Sequence, residues 1–292
     1  MQKIKILIVG CGDVGTRLAS LLIQKGHQVV GLRRTPPESS QRKMLYFAAD
    51  VTSVESLSKL DADFDQVFYA VAPDHRDETH YRDIYETGLS HLFNHFSKNN
   101  KKPHWIFVSS TAVYGVTNGA WIDESTPLCP TSFTGKYLLA AEKKILEEGI
   151  KNIIVRFSGI YGEGRERLIR IAQNETPVQA DPLYYSNGIH QSDCAGVLAF
   201  LLEKRLNGVP LASCYLASDD EPAPILEVVS WLAKKLALGP AVKKPKHTKD
   251  LMNKRCDNGR LKTLGYQFKY PSYREGYLPL LVAHKKNKGR SL

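Results

Sequence analysis

The sequence lacks the features that mark secreted, membrane-spanning and zinc-binding proteins. Its 292 residues contain five cysteines, an odd number with no C-x-x-C pair, which argues against a disulfide framework and against a zinc site. No apolar run approaches the roughly 18 residues that a transmembrane helix needs. The short apolar run at the start leads directly into a glycine loop, unlike a signal peptide. We therefore expect a cytoplasmic protein with reduced thiols and no membrane partner.

Negative charge is scarce in the last fifth of the chain. The net charge is +10, and residues 240–292 carry 14 lysines and arginines against 3 acids, so the rest of the chain is close to neutral. Two basic runs, at 243–255 and 284–290, hold this excess. They form either a solvated surface or a patch that attracts an anionic substrate or partner. We do not expect nucleic-acid binding, because no base-reading motif or aromatic stacking platform accompanies the charge.

Strand-like apolar runs alternate with helical patterns in the first half of the chain. The pattern predicts strands at 4–9, 28–32, 44–48, 66–72, 104–109 and 152–157, and helices near 13–25, 53–60, 79–98 and 134–148. Nearly continuous apolar strands between helices are typical of a parallel sheet that is buried on both faces. We therefore predict an α/β fold with a doubly wound parallel sheet of the Rossmann type.

The rhythm changes after residue 157. Glycines and prolines become frequent, and the next helices are predicted at 193–204 and 223–237. We therefore assign residues 1–157 to an NAD(P)-binding Rossmann domain whose later strands come from 158–220. Residues 158–292 are assigned mainly to a smaller C-terminal lobe that binds a small-molecule substrate.

A glycine loop follows the first predicted strand. Residues 3–15 read KIKILIVGCGDVG, with glycines in G-x-G-x-x-G spacing. The first glycine permits a tight turn, the second lets a pyrophosphate approach the backbone, and the third allows close helix packing. The helix that follows offers its N-terminus to the phosphates. Dinucleotide binding is predicted here, with a purely structural turn as the alternative. The predicted contact residues are Gly10, Cys11, Gly12, Asp13, Val14 and Gly15.

Two arginines follow the second predicted strand, where NAD sites commonly have an acid for the ribose 2′-hydroxyl. The sequence there reads GLRRTPP, with Arg33 and Arg34. A guanidinium group makes bidentate, charge-assisted bonds to a phosphate. The pair therefore favours NADP(H) over NAD(H), unless the two side chains merely point into solvent.

Several further motifs occur in the order found in one enzyme family. D-x-V-F-Y-A-V-A at 65–72, V-S-S-T-A-V-Y-G at 108–115 and V-R-F-S-G-I-Y-G at 155–162 are followed by N-G-R-L-K-T-L-G at 258–265. Together they resemble the extended short-chain dehydrogenase/reductases of the NAD-dependent epimerase/dehydratase family, and in particular the atypical YeeZ-like group. The resemblance implies that Asp50 contacts the adenine, although Asp50 is also a candidate helix cap. The other cofactor contacts that we expect are Val51, Ala70, Val71, Ala72 and Ser109.

The resemblance also identifies catalytic positions, and two of them depart from the family pattern. Thr134 and Leu138 stand where the family has its acid/base Tyr and the Lys that lowers the pKa of that Tyr, and none of the 14 tyrosines has a Lys four residues later. Ser110 stands where a Ser or Thr polarises the substrate oxygen. Proton transfer would fall to a water, to Tyr137 or to His190. For His190 a purely structural role is the alternative.

Two hypotheses for the function follow. In the first, the chain is an NADP(H)-dependent oxidoreductase or epimerase/dehydratase acting on a nucleotide-sugar-like or other anionic small molecule. In the second, it is a non-catalytic cofactor-binding sensor or regulatory protein. Arg156, Tyr161 and Arg165 are weaker candidates for a substrate-phosphate site. The resemblance further implies a homodimer through the helices at 79–98 and 134–148.

Overall fold

The computed structural model describes residues 2–37, 44–244 and 253–288, so residues 245–252 and 289–290 of the two basic runs lie outside the described part. The chain divides into two compact units. The first unit comprises the described residues of Met1–Tyr114, Leu128–Arg156 and Ala195–Tyr215. The second comprises those of Gly115–Pro127, Phe157–Cys194 and Leu216–Leu292.

Strands and helices alternate along the first half of the chain, and the second half has shorter strands. The strands are β1 (Lys5–Val9), β2 (Gln28–Arg33), β3 (Leu45–Ala48), β4 (Gln66–Tyr69), β5 (His104–Ser110), β6 (Ala120–Ile122), β7 (Ile153–Phe157), β8 (Gly159–Tyr161), β9 (Val178–Gln179), β10 (Tyr185–Ser186), β11 (Gly188–His190), β12 (Cys214–Ala217), β13 (Ala223–Pro224), β14 (Lys243–Lys244) and β15 (Lys254–Cys256). The helices are α1 (Asp13–Gln24), α2 (Val54–Leu57), α3 (Glu78–Arg82), α4 (Leu89–Lys98), α5 (Phe133–Glu148), α6 (Arg167–Gln173), α7 (Gln191–Leu206), α8 (Ile225–Lys235), α9 (Gly259–Thr263) and α10 (Tyr273–Lys288).

The central element is a seven-stranded parallel sheet with the order β3-β2-β1-β4-β5-β7-β12. The chain moves outward from β1 to β3, then crosses back and adds β4 on the other side of β1. In the register, Val9 of β1 lies opposite Leu32 of β2 and Tyr69 of β4. The carboxyl ends of the three strands therefore meet at the point where strand order reverses, which is where doubly wound sheets bind their ligands.

Burial explains the apolar character of the central strands. Residues 6–9 of β1 are completely buried, and so are all four residues of β4. A parallel sheet with helices on both faces leaves neither side of a central strand in water, so these strands read as continuous apolar runs. The predicted doubly wound α/β sheet is confirmed.

The predicted helix at 79–98 is interrupted in the structure. A π-helical turn over Asp83–Gly88 separates α3 from α4. At this turn Gly88 packs against Val51, and a Cβ atom on Gly88 would lie 2.6 Å from Cγ2 of Val51. This contact brings the segment after β3 against the π turn. Helical periodicity alone does not report such a turn, because the apolar spacing on either side of it is nearly unchanged.

The second unit has its own apolar core around three helices. The rings of Tyr161 and Tyr277 stack there, with centroids 4.5 Å apart and an interplanar angle of 20°. Four two-stranded sheets complete the unit: β8 with β11, β6 with β15, β9 with β14, and β10 with β13. The core residues contributed by the helices α6, α8 and α10 include Leu168, Ile169, Ala172, Val228, Val229, Leu232, Tyr273, Leu280 and Leu281.

No helix among the described residues combines the length and hydrophobicity that a membrane crossing requires.

Candidate cofactor and catalytic site

The glycine loop is held tightly against the sheet. Gly10 has a φ of +87°, and a Cβ atom there would overlap the main chain of Val71, which follows β4. The amides of Gly10 and Cys11 both donate to the carbonyl of Leu32, at 3.0 and 3.2 Å. At the third glycine, a Cβ atom on Gly15 would lie 2.6 Å from the carbonyl oxygen of Gly10. The first and third glycines are therefore required by close packing within the protein.

The middle glycine is different. Gly12 is the N-cap residue of α1, and a Cβ atom there would meet no described protein atom within 4 Å. As a glycine, Gly12 makes no side-chain cap hydrogen bond to this end of α1. Asp13, the first residue of α1, is turned toward Arg17, with 3.1 Å between its Oδ1 and the Nε of Arg17. Open space beside the N-terminus of a 12-residue helix fits a cofactor pyrophosphate.

Cys11 takes part in the loop only through its main chain. Its side chain is completely buried and packs 3.8 Å from the sulfur of Met44. Burial raises the pKa of the thiol, although the contact with Thr16 opposes this shift. The buried thiol anchors the loop to the core. The amides of Gly10 and Cys11 donate to Leu32 and that of Gly12 to Gly10, so amide contacts to a phosphate fall to the first residues of α1.

Arg33, the last residue of β2, and Arg34, which follows it, both make contacts at the same edge of the sheet. Nη1 of Arg33 donates to the carbonyl of Cys11 at 3.3 Å, so this guanidinium lies against the glycine loop. Arg34 is more exposed, with 59% of its side chain accessible, and pairs with Asp74 at 2.6 Å. Asp74 follows β4, so the pair spans the carboxyl ends of β2 and β4.

The segments after β3 and β4 complete this edge. Oδ1 of Asp50 accepts hydrogen bonds from the amide and the hydroxyl of Thr52, at 2.9 and 2.8 Å. The N-cap of α2 is Ser53, so the expectation that Asp50 caps this helix is wrong. Val51 is buried, and its carbonyl lies 3.1 Å from Nδ1 of His91. After β4, the amide of Ala70 donates to the carbonyl of Val9 at 2.8 Å, and this bond directs residues 70–72 toward the glycine loop.

Ser110 is the last residue of β5. Its hydroxyl accepts the amide of Ala112 at 3.2 Å and caps a 3₁₀ turn over Thr111–Val113. Gly135 of α5 packs on this turn so closely that a Cβ atom would overlap the carbonyl of Ala112. The structure therefore brings the Ser110 turn and the start of α5 together.

Thr134 and Leu138, which we expect at the Tyr and Lys positions of the family pattern, lie on the buried side of α5 in the first unit. Thr134 and Leu138 are 3% and 4% exposed, and Oγ1 of Thr134 lies 2.9 Å from Oγ of Ser132. Tyr137 is less buried, and its hydroxyl donates to Glu78 at 3.5 Å. Partial burial and the nearby Glu78 carboxylate raise the pKa of Tyr137. This direction disfavours the phenolate that a tyrosine base requires.

His190 belongs to the second unit, at the end of β11. It is buried, its Nδ1 accepts the amide of Ser192 at 3.2 Å, and its ring packs 4.1 Å from that of Tyr270. Nearby, Asp193 accepts the amides of Lys269 and Tyr270, at 2.8 and 3.0 Å. These contacts tie the start of α7 to the segment at 266–270 and give His190 a structural environment.

A buried network of four side chains lies next to Ser110. The sequence pattern did not predict that these four side chains contact one another. Glu142 of α5 accepts from Nε and Nη2 of Arg156, at 3.0 and 2.6 Å, and from the hydroxyl of Ser109 at 2.5 Å. Nη1 of Arg156 also donates to the hydroxyl of Tyr114 at 2.8 Å. The sequence feature that could have indicated this network is the arginine within the apolar run Ile153–Phe157, because a buried guanidinium needs an acidic partner.

This network changes the interpretation of two residues. Arg156 is 5% exposed. Burial lowers the pKa of its guanidinium, but the hydrogen bonds and charge of Glu142 outweigh burial, and the net shift is upward. The structure thus gives Arg156 a buried acidic partner in the first unit, where a substrate phosphate had been considered. The hydroxyl of Ser109, predicted as a cofactor contact, donates to the same carboxylate.

Comparison with known proteins identifies a family, a relative and solved structures that this chain resembles. The family model of the NAD dependent epimerase/dehydratase family matches residues 6–204. Protein YeeZ of Escherichia coli (strain K12) is 29% identical over 220 residues, covering 70% of this chain and 75% of YeeZ. A solved structure described as an NAD-dependent epimerase/dehydratase from Methylobacillus flagellatus is 36% identical, with a TM-score of 0.81 over 97% of this chain and 100% of that one. MoeE5 in complex with UDP-glucose and NAD has the same fold, with a TM-score of 0.77 at 22% identity over 97% and 99% of the two chains.

The loop geometry predicts unequal effects on stability for two glycine substitutions. Gly10→Ala should lower the free energy of unfolding by about 2 kcal/mol or more, because the added Cβ overlaps Val71 at a positive φ. Gly12→Ala should change it by less than about 0.5 kcal/mol, since the added atom enters open space. Urea unfolding without cofactor, followed by circular dichroism, checks both values. Equal losses of unfolding free energy in the two variants would contradict the interpretation that packing requires Gly10 but not Gly12.

The buried network predicts a non-additive double mutant. Glu142→Leu should cost about 3–5 kcal/mol of unfolding free energy, because it leaves the Arg156 guanidinium buried without a counter-charge. Adding Arg156→Met should recover a large part of this loss. Asp74→Asn, which breaks an exposed pair, is the matched control and should cost less than about 1 kcal/mol. Additive losses in the double mutant, measured by urea unfolding, would show that the pair is not coupled.

Proposed function

The chain belongs to the NAD dependent epimerase/dehydratase family, and on this basis we propose that it is an NADP(H)-dependent oxidoreductase or epimerase/dehydratase. Its substrate is a small anionic molecule of the nucleotide-sugar kind. The observation that carries the proposal is the open phosphate cradle at Gly12, with Arg33 and Arg34 at the same sheet edge. When bound, the cofactor supplies or accepts the hydride.

The choice of NADP(H) depends on the charge at the carboxyl end of β2. Arg33 is held at the glycine loop, and within the described ranges the ion pair that Arg34 makes is an exposed one with Asp74. An exposed pair of this kind contributes about 0–1 kcal/mol, so Arg34 exchanges its partner for a phosphate at little cost. A doubly charged 2′-phosphate offers both guanidinium groups stronger, charge-assisted bonds than a ribose hydroxyl does.

We assign to Ser110 the hydrogen bond that orients the substrate oxygen. Its hydroxyl is held at the end of β5 by the amide of Ala112, and the packing of Gly135 fixes the turn from the other side. From this position it would donate a hydrogen bond to a carbonyl or hydroxyl of the substrate. The raised pKa of Tyr137 makes that residue a poor base at neutral pH, so we assign the proton transfer to a water molecule.

A second candidate function is supported by α5. Thr134 and Leu138 are buried at the positions where the family pattern has Tyr and Lys. A chain that binds NADP(H) without these groups would serve as a cofactor-dependent regulatory protein.

Calorimetric titration tests the cofactor assignment. NADPH should bind at least about tenfold more tightly than NADH, a difference of about 1.4 kcal/mol. Arg33→Gln and Arg34→Gln should each remove much of this preference and leave the NADH affinity nearly unchanged, because NADH lacks the 2′-phosphate. Arg170→Gln, on the exposed face of α6 in the second unit, is the charge-matched control. Gly12→Ala should weaken both cofactors. The assignment is wrong if neither cofactor binds, or if NADH binds more tightly.

Ser110→Ala tests catalysis. A panel of nucleotide sugars and anionic carbonyl compounds is screened for NADPH consumption or NADP⁺ reduction. For any compound that reacts, Ser110→Ala should lower kcat/KM by about 10²–10³-fold, the cost of one lost oxyanion donor, with unchanged NADPH affinity. Ser58→Ala, on an exposed serine just after α2, is the control. Tight NADPH binding without turnover of any compound would favour the regulatory candidate.

A further inference from the structure

A carboxyl group is buried in the second unit without a hydrogen-bond partner. Asp219 lies just after β12 and is 1% exposed. Among the residues that the structure describes, neither of its carboxyl oxygens has a partner in hydrogen-bond geometry. Aspartate and glutamate are almost never fully buried unless they are paired, as Glu142 is with Arg156 in the first unit. The burial of Asp219 therefore needs a different explanation.

The turn at residues 218–221, which contains Asp219, is tied to two other segments of the second unit. The amide of Asp219 donates to the carbonyl of Gly188 in β11 at 2.7 Å. The amide of Asp220 donates to the carbonyl of Pro271, just before α10, at 2.8 Å. Both bonds hold the main chain of the turn and leave the carboxyl group of Asp219 unsatisfied. A change of charge at this carboxyl therefore acts on the contacts of the turn with β11 and with the start of α10.

The carboxyl group of Asp219 is packed closely against β11. A Cβ atom on Gly188 would lie 3.1 Å from Oδ2 of Asp219 and 3.0 Å from Cε1 of Tyr161. Both distances are shorter than ordinary van der Waals contacts, so the space between the strand and the carboxyl holds neither an ion nor a water molecule. The ring of Tyr161 in turn stacks on that of Tyr277 in α10. On this side, therefore, only rings and main chain surround the carboxyl.

The titratable neighbours of Asp219 bring no positive charge to it. Those that face it from the surrounding elements are Glu221 and Asp220 of its own turn, Asp193 of α7, Tyr161 of β8, Tyr277 of α10 and Cys256 of β15. Burial raises the pKa of the two tyrosines and raises that of the Cys256 thiol to about 12, so these three groups are neutral at physiological pH. The remaining neighbours are acids, which repel a negative charge at Asp219.

Asp219 differs in this respect from the two acids beside it. Asp220 pairs with Lys262 at 3.2 Å, and Glu221 pairs with Arg274. Burial raises the pKa of the Asp219 carboxyl well above its ordinary value, and repulsion by the neighbouring acids raises it further, while the nearby amide of Glu221 opposes the shift. Of three consecutive acids, the buried one is thus the one that favours its neutral form.

We propose that Asp219 is a pH-dependent switch in the second unit, which holds the turn at 218–221 against β11 when its carboxyl is protonated and releases the turn when it is ionised. A neutral carboxyl remains buried beside Tyr161 at far lower cost than a carboxylate, which requires water or a counter-charge. Ionisation therefore favours an open conformation in which the turn loses its bonds to Gly188 and Pro271. The switch involves neither cofactor nor substrate, so it is independent of the proposed function.

The direction of the pH effect follows from the pKa of Asp219 in the two conformations. In the open turn the carboxyl is in water, where its pKa is about 3.9. In the closed turn its pKa is raised. Between these two pKa values the closed conformation binds more protons, so the equilibrium constant for opening should rise with pH, by up to about tenfold per pH unit. Below about pH 4 both conformations are protonated, and the dependence ends.

Hydrogen exchange of the full chain, followed by peptide mass spectrometry from about pH 5 to about pH 9, tests the switch. Exchange is expressed as a protection factor, which removes the intrinsic pH dependence of the amides. The reporter peptide covers 214–225, since the amides of Asp219 and Asp220 are hydrogen-bonded only in the closed turn. Its protection should fall by up to about tenfold per pH unit. A peptide that covers β4 of the first unit is the internal control and should keep its protection.

Three variants identify the group that titrates. Asp219→Asn keeps the shape of the side chain, and Asp219→Ala removes its polar atoms, so either variant that folds serves as the test. Both should remove the pH dependence of protection, because neither carries an ionisable group at this position. Asp220→Asn, at the exposed acid of the same turn, is the matched control and should keep the wild-type dependence.

Three outcomes would overturn the proposal. In the first, protection of the wild-type turn does not change with pH. In the second, the Asp219 variants keep the wild-type pH dependence, which would assign the titration to another group, such as Asp193. In the third, the β4 peptide loses protection in parallel with the turn, which would show that pH acts on the whole chain and not on the turn.

Discussion

The close approach of Gly10 to the main chain of Val71 is the contact on which the cofactor site depends. It requires a residue without a Cβ atom at a positive φ, and it brings the loop after β1 against the segment after β4. These two strands flank the point where the sheet reverses its order. Because the loop is packed so tightly there, α1 starts with its N-terminus at the carboxyl edge of the sheet, and Gly12 remains beside open space.

One buried ion pair holds α5 against the sheet of the first unit. Glu142 and Arg156 neutralise one another and also satisfy Ser109 and Tyr114, so their burial serves the packing of α5 on β5 and β7. A buried pair whose hydrogen bonds are satisfied favours this one interior arrangement over alternatives that would leave a charge buried alone.

The catalytic region combines a family-like turn with an altered helix. Ser110 retains its place at the end of β5, and Gly135 presses α5 onto the same turn. The helix nevertheless carries Thr134 and Leu138 on its buried face. Tyr137, which lies between them in the sequence, donates its hydroxyl hydrogen bond to Glu78. The turn at Ser110 and the residues on the buried face of α5 thus vary independently, which is why the fold alone does not identify the reaction.

The sequence by itself determined the doubly wound sheet and the glycine loop, since apolar periodicity and glycine spacing are local properties of a strand or turn. It did not determine the π turn before α4, the cap of α2 by Ser53, or the pairing of Arg156 with Glu142. Only the tertiary structure decided which charges are paired, because an ion pair between α5 and β7 depends on the distance between two separate elements of the chain. That distance is set by packing, and no local pattern encodes it.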